Sequence, residues 1–77
     1  ETKHMATHRV ESEVTGSVWK VVVGIGDAVA SGDVLMILES MKMEIPLESP
    51  VSGRVTELLV RPQDVVEEGQ VLIVVAS

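Results

Sequence analysis

The sequence predicts an all-β fold made of two similar halves, and three observations carry that expectation. Valine dominates the chain and helix-favouring stretches are missing. Gly, Pro and Asp turn signals recur at about eight- to twelve-residue intervals, the spacing of short strands in a sandwich or barrel. Residues 11 to 40 superimpose on residues 48 to 77 at a constant offset of 37 with no gap, giving 12 identities in 30 positions.

The identities include punctuation as well as valine: Gly16 meets Gly53, Asp27 meets Asp64, Gly32 meets Gly69 and Ser40 meets Ser77. A solenoid needs three or more units to bury a continuous core, so two copies read better as the halves of one closed domain with approximate twofold symmetry. The segment from Met41 to Leu47 is left over between the copies and is expected to have no counterpart.

Element by element, strands are expected near Arg9 to Val14, Ser17 to Val23, Val34 to Ser40, Met43 to Glu48, Arg54 to Val60 and Val71 to Ala76. Short extended pieces at Ala28 to Val29 and Val65 to Val66 complete four per half. Gly16 and Gly53 precede the second strand of each half, and Gly32 and Gly69 end the turn before the fourth. Paired glycines suit positive φ or a close backbone approach. Alternation is blurred in Val18-Trp19-Lys20-Val21-Val22-Val23 and its copy. A bulge after Val18 and after Val55 would turn both residues inward together with Val21, Val23, Leu58 and Val60. Trp19 matches Thr56 and is expected to be a partly exposed packing residue. Pro46 would interrupt a central ladder, so its strand belongs at a sheet edge, and the Lys42 hairpin should protrude from a rim.

At 77 residues the chain has room for one domain, with a core that supplies a few kcal/mol at best. Glu1-Thr2-Lys3-His4 reads as the remnant of an expression tag at residues 1–4, leaving one domain over residues 5–77. A chain that begins naturally at Met5 would be complete at this size; an excised segment of a larger protein is the other reading. There is no cysteine for a disulfide or a cysteine-based metal site, which fits a cytoplasmic location. No apolar run approaches a bilayer span. The net charge of −6 opposes nucleic acid and anionic membranes, and a single aromatic residue leaves nothing to stack bases on.

Catalytic constellations are also missing. His4 and His8 lie in or beside the tag region, and the acid pairs Glu11 with Glu13 and Glu67 with Glu68 have the look of solvated turns and strands. Gly24-Ile25-Gly26-Asp27 lacks the third glycine of a dinucleotide fingerprint and reads as a turn.

What remains is Glu39-Ser40-Met41-Lys42-Met43-Glu44, at the junction of the two copies. Hairpin tips favour Gly, Asn, Asp or Pro, yet here two methionines expose flexible apolar surface that does nothing for the isolated fold. Such surface suits a partner enzyme. A lysine amine on its four-carbon stem can be acylated to make a long tether, and the partner must arrange the deprotonation that attack on an activated acyl group requires. Glu39 and Glu44 could guide the docking.

Glu39-Ser40-Met41-Lys42-Met43 closely resembles the attachment motif of biotinyl domains, the biotin carboxyl carrier modules of biotin-dependent carboxylases. The resemblance runs from about Val10 to Ser77. It implies the hammerhead, a flattened β-barrel (barrel-sandwich hybrid) of two four-stranded antiparallel sheets with pseudo-twofold symmetry. It implies biotin attached covalently to Lys42, recognition by biotin protein ligase through Met41 and Met43, and Glu39 as the acidic residue steering the domain to that ligase. Function follows as a non-catalytic carrier: the Lys42 arm takes a carboxyl group from a biotin carboxylase site to a carboxyltransferase site. A monomer is expected in isolation. The segment from Gly24 to Asp27 is too short for the protruding thumb of some carriers. Gln63 stands where the second half of the family often has glycine, which puts that turn's geometry in question.

Two other functions remain open. A lipoyl carrier of a 2-oxo acid dehydrogenase or glycine cleavage system would use the same lysine, although lipoyl domains usually carry Asp-Lys-Ala there. An unmodified interaction domain would use the Met41 and Met43 tip only as a docking patch.

Overall fold

The computed structural model describes residues 6–77. The expectations placed on residues 1–4 and on a start at Met5 lie outside the described residues. Eight strands follow one another: β1 Thr7–Glu11, β2 Gly16–Val21, β3 Ala28–Val29, β4 Val34–Ser40, β5 Met43–Glu48, β6 Gly53–Leu58, β7 Val65–Val66 and β8 Val71–Ala76. They form two four-stranded sheets, ordered β1-β8-β6-β3 and β5-β4-β2-β7, with every pairing antiparallel. Adding 37 to the residue numbers converts β1 into β5, β2 into β6, β3 into β7 and β4 into β8. The two sheets are thereby images of each other, and the flattened, two-sheet, pseudo-twofold architecture is the one expected.

Five strands have the expected bounds and three do not. β1 stops at Glu11 instead of Val14 because Ser12 turns the chain out of the ladder. The buried Ser12 hydroxyl donates to the Val14 carbonyl at 2.6 Å and accepts from the Val14 N–H at 3.3 Å; Ser49 repeats both bonds with Val51 at 2.6 and 3.4 Å. A serine that closes a local turn competes with the ladder, and an alternating apolar pattern does not reveal it. β2 and β6 each begin one residue early, at the glycine, and end two residues early, at Val21 and Leu58. The N–H groups of Val22 and Leu59 still reach the carbonyls of Leu35 and Leu72 at 3.0 Å, so these ladders fray instead of stopping.

The expectation that Met41 to Leu47 has no counterpart is corrected. Val10 lies opposite Ile73 and Glu11 opposite Val71, just as Leu47 lies opposite Met36 and Glu48 opposite Val34. β5 is thus the image of β1. Residues 6 to 10 and 43 to 47 share no identity, so the symmetry survives only in backbone hydrogen bonds. The Met41-Lys42 turn has no image among the described residues. In its symmetric place the Ser77 N–H donates to the Ala6 carbonyl at 2.9 Å.

Both bulges are present. The β2–β4 register slips between Val18 and Lys20, and the β6–β8 register slips between Val55 and Glu57. Each slip takes one residue, Trp19 or Thr56, out of the alternation and restores the apolar face inward. Val18, Val55 and Val60 are buried; Val21, Val23 and Leu58 are half-buried and pack against the core. Trp19 keeps 49% of its surface exposed, the partial exposure expected of it. Leu35, Met36, Leu38, Leu72 and Ile73 fill the centre without exposure. Each contributes about 1.5–3 kcal/mol from burial, against an ordering entropy of similar size summed over the chain. Pro46 lies on β5, an edge strand, where its missing N–H costs no ladder bond.

Four turns share one geometry. In 24–27, 30–33, 61–64 and 67–70, the fourth N–H donates to the first carbonyl at 3.0–3.1 Å, and the third residue has positive φ. The side chain of Asp27, Asp33, Asp64 or Gln70 then accepts the first residue's N–H at 2.8–3.0 Å. A turn with positive φ at its third position favours glycine, which supplies Gly26, Gly32 and Gly69. Gln63 occupies the remaining turn, 61–64, with φ 77° beside 95° for its equivalent Gly26, so the turn keeps its geometry without the glycine.

Gly16 and Gly53 do different work. Neither needs positive φ; a Cβ on Gly16 would fall on the Glu39 carbonyl oxygen, and one on Gly53 on the Ala76 carbonyl oxygen. These contacts set the spacing of the inner strands. Gly16→Ala and Gly53→Ala should each destabilise the domain by roughly 1–3 kcal/mol, whereas Gly24→Ala should stay within about 0.5 kcal/mol. Gly24 has only an aspartate oxygen within reach, at 4.0 Å. Urea denaturation of the three variants checks this, and equal midpoints would refute the role given to the close approach.

Candidate functional site

β4 and β5 are joined by two residues only, Met41 and Lys42, with φ of 53° and 65°. Positive φ at both central positions is the signature of a type I′ hairpin turn, whose twist matches that of the flanking strands. Asn-Gly or Asp-Gly normally occupies such turns, because a left-handed conformation costs an ordinary L-residue roughly 1–2 kcal/mol. Here a methionine and a lysine adopt it, held between strands that pair out to Ser40 and Met43.

The base of the hairpin is anchored from below. The Ser40 hydroxyl donates to the Thr15 carbonyl at 2.9 Å, and the Thr15 hydroxyl accepts the Glu68 N–H at 3.2 Å. Gly16 packs directly against the Glu39 backbone. The anchor was not anticipated from the sequence, although the match of Ser40 with Ser77 was its one visible trace. In the other half Ser77 lies 3.3 Å from the His8 ring nitrogen and donates to the Ala6 carbonyl at 3.4 Å.

Above this base every candidate side chain is exposed. Met41 is 90% exposed and Met43 63%, while Glu39, Lys42 and Glu44 are also on the surface. Glu39 and Glu44 lie directly opposite each other across the ladder. Like charges in that position destabilise a hairpin. The tip therefore combines two left-handed residues, two exposed thioethers and a pair of facing carboxylates, none of which helps the isolated domain fold. The sequence-predicted site residues are brought together, on one rim.

Elsewhere an open groove of about 840 Å³ runs between the edge strands β1 and β5, lined in part by Arg9, Glu11, Pro46 and Glu48. Its deepest polar side chains, Ser12 and Ser49, spend their hydroxyls on their own turns. Among the described residues no group of three or more His, Cys, Asp or Glu is arranged to hold a metal ion, and no helix is long and apolar enough to cross a membrane.

Replacing Met41-Lys42 by Asn-Gly should raise the unfolding free energy by roughly 1–2 kcal/mol, because the turn then meets its conformational demand. Denaturant titration with an unchanged slope checks it. No gain in midpoint would mean that the turn carries no strain.

Comparison with known proteins agrees with this geometry. Residues 6–75 match the biotin/lipoyl family model described as "Biotin-requiring enzyme". The chain is 58% identical over 38 residues to the "Biotinylated protein TB7.3 homolog" of Mycobacterium leprae, and 50% identical over 38 residues to the "Biotin/lipoyl attachment protein" of Bacillus subtilis. These alignments cover 49% of this chain, and 54% and 52% of those relatives, so the chain spans about half the length of the curated relatives it matches. Among solved structures, urea carboxylase of Kluyveromyces lactis superimposes with a TM-score of 0.87 at 36% identity, over 97% of this chain and 7% of that one. A single-chain, multi-domain long-chain acyl-CoA carboxylase superimposes with a TM-score of 0.83 at 32% identity, over 88% of this chain and 7% of its own length. With all but a few residues at either end matched by the family model, and the fold shared with segments of two carboxylases, the chain belongs to the biotin/lipoyl attachment family.

Proposed function

We infer that this chain is a biotin carrier domain and that Lys42 is its attachment site. The observation that carries this reading is the placement of Lys42, at the tip of a strained two-residue turn between two exposed methionines. The family relationship, the biotinylated relatives and the carboxylase neighbours support it.

The residues at the tip fit such a group. An amine that bonds to biotin through an amide must first enter a ligase active site, and a tight turn on a rim presents it there without unfolding any strand. Strain is useful in this setting, since the turn holds Lys42 clear of the sheet. Met41 and Met43 give the ligase adaptable apolar surface on both sides of the amine. Glu39 and Glu44 add negative charge that steers a basic docking face and disfavours wrong partners. Attached biotin would supply a ring able to carry a carboxyl group. The protein's part is position and reach: a tethered group samples a small volume, so its effective concentration at neighbouring active sites is far above its bulk concentration.

The domain itself performs no chemistry in this scheme. Biotin protein ligase would load it, and the active sites of a biotin-dependent carboxylase, a biotin carboxylase and a carboxyltransferase, would be visited in turn.

Lys42→Arg keeps the charge and removes the acylatable amine. After co-expression with a biotin ligase in biotin-rich medium, intact mass and peptide mapping should find one biotinyl group on Lys42 of the parent and none on the variant. Both proteins should unfold at the same denaturant midpoint to within about 0.5 kcal/mol, because Lys42 is a surface residue. A biotinylated Lys42→Arg chain would sink the assignment. A lipoyl group on Lys42 in place of biotin would make the domain a lipoyl carrier.

A further inference from the structure

The chain has four methionines and no cysteine, so thioethers are its only oxidisable sulfur. Three lie among the described residues, and they divide sharply. Met36 is completely buried in the core, whereas Met41 and Met43 are 90% and 63% exposed and flank Lys42. Sulfur oxidation follows exposure, and converting a thioether to a sulfoxide changes a flexible apolar side chain into a polar, chiral one. Among the described residues, no other part of the surface joins two exposed thioethers so closely to a lysine amine.

We propose that Met41 and Met43 form a peroxide-sensitive modification site whose oxidation shuts off biotin loading of Lys42. This rests on Lys42 being the biotin acceptor. A lone pair on the thioether sulfur attacks one oxygen of hydrogen peroxide. The S–O bond forms as the O–O bond breaks, a proton passes from the transferred oxygen to the leaving one, and water departs; sulfur is oxidised and the peroxide reduced. The fold is untouched, since neither side chain packs in the core and the turn is held by backbone pairing and by Ser40. The apolar docking surface is lost. Each sulfoxide must be desolvated against a ligase face that complements a thioether, and such a polar group buried without a partner weakens docking. Because methionine sulfoxide is reversible through a pair of reductases, one per epimer, the site can be switched back.

The test uses the whole chain, hydrogen peroxide, purified biotin protein ligase and the two methionine sulfoxide reductases. Peptide mapping should find one added oxygen on each of Met41 and Met43 while Met36 stays reduced. The initial rate of biotinylation should fall by at least about tenfold, the loss that follows when one apolar side chain of this size is no longer buried. Reductase treatment should restore it. Met41→Leu/Met43→Leu has its own basal rate, and the ratio of treated to untreated rates should return to one. Loading of the oxidised parent at the untreated rate would overturn the proposal, as would a loss that the reductases cannot reverse or that the leucine variant shares. Failure of the untreated parent to accept biotin at all would instead overturn Lys42 as the acceptor, which separates the two claims.

Discussion

Each half of this domain is clamped by turns from the other, and the rest of the structure depends on those clamps. The left-handed residue of each of the four aspartate- or glutamine-closed turns donates its N–H across the pseudo-twofold: Gly26 to the Val55 carbonyl, Gln63 to Val18, Gly32 to Ser49 and Gly69 to Ser12, at 2.7–2.8 Å. The next residue's carbonyl accepts in return, Asp27 from Val55, Asp64 from Val18, Asp33 from Ser49 and Gln70 from Ser12, at 2.8–2.9 Å. β3 and β7 extend the exchange, since each adds to the sheet built around the other half's inner strands. Neither half has a complete sheet of its own. Pairing between distant segments is what lets so small a chain hold a core without disulfides.

That interlock explains how a costly turn is tolerated. Inner strands seated by Gly16 and Gly53 give β4 a fixed bed, and β5 is zipped to β4 along its length. Left-handed backbone at Met41 and Lys42 is then a small local penalty within a cooperative ladder. Strain of this kind persists where the surroundings over-determine it, and it clusters at functional sites. In the symmetric place the Ser77 N–H meets the Ala6 carbonyl, and among the described residues the turn that bears the lysine has no image.

The carrier role proposed for this domain asks for a rigid body and an exposed attachment point, and the residues divide in the same way. Apolar side chains of the inner strands are spent on rigidity. The tip is given over to side chains that a partner can use: a primary amine, two thioethers and two carboxylates. The methionines that suit an adaptable docking surface are for the same reason open to oxidants, whereas Met36, the same residue type in the core, is sheltered by packing.

Much of this was readable from the chain itself. Valine-rich segments between turn signals specified the β fold, the offset of 37 specified the twofold, and both bulges followed from misaligned alternation around Trp19 and Thr56. The Lys42 motif stood out because its residues serve no local purpose. Tertiary structure decided the rest. Before Glu11 and Glu48 the image of β1 in β5 left no identity to detect, because ladder symmetry is written in backbone groups that any side chain can carry. Ser12 ended β1 at Glu11 through a side-chain turn that a hydropathy pattern cannot register. Gln63 took a glycine's conformation because its N–H donates to the Val18 carbonyl while the next residue, Asp64, accepts the Val18 N–H, and Gly16 proved to be about proximity to Glu39, a contact between residues 23 apart in sequence. Local chemistry fixes which residues are unusual; only the folded packing fixes what each of them touches.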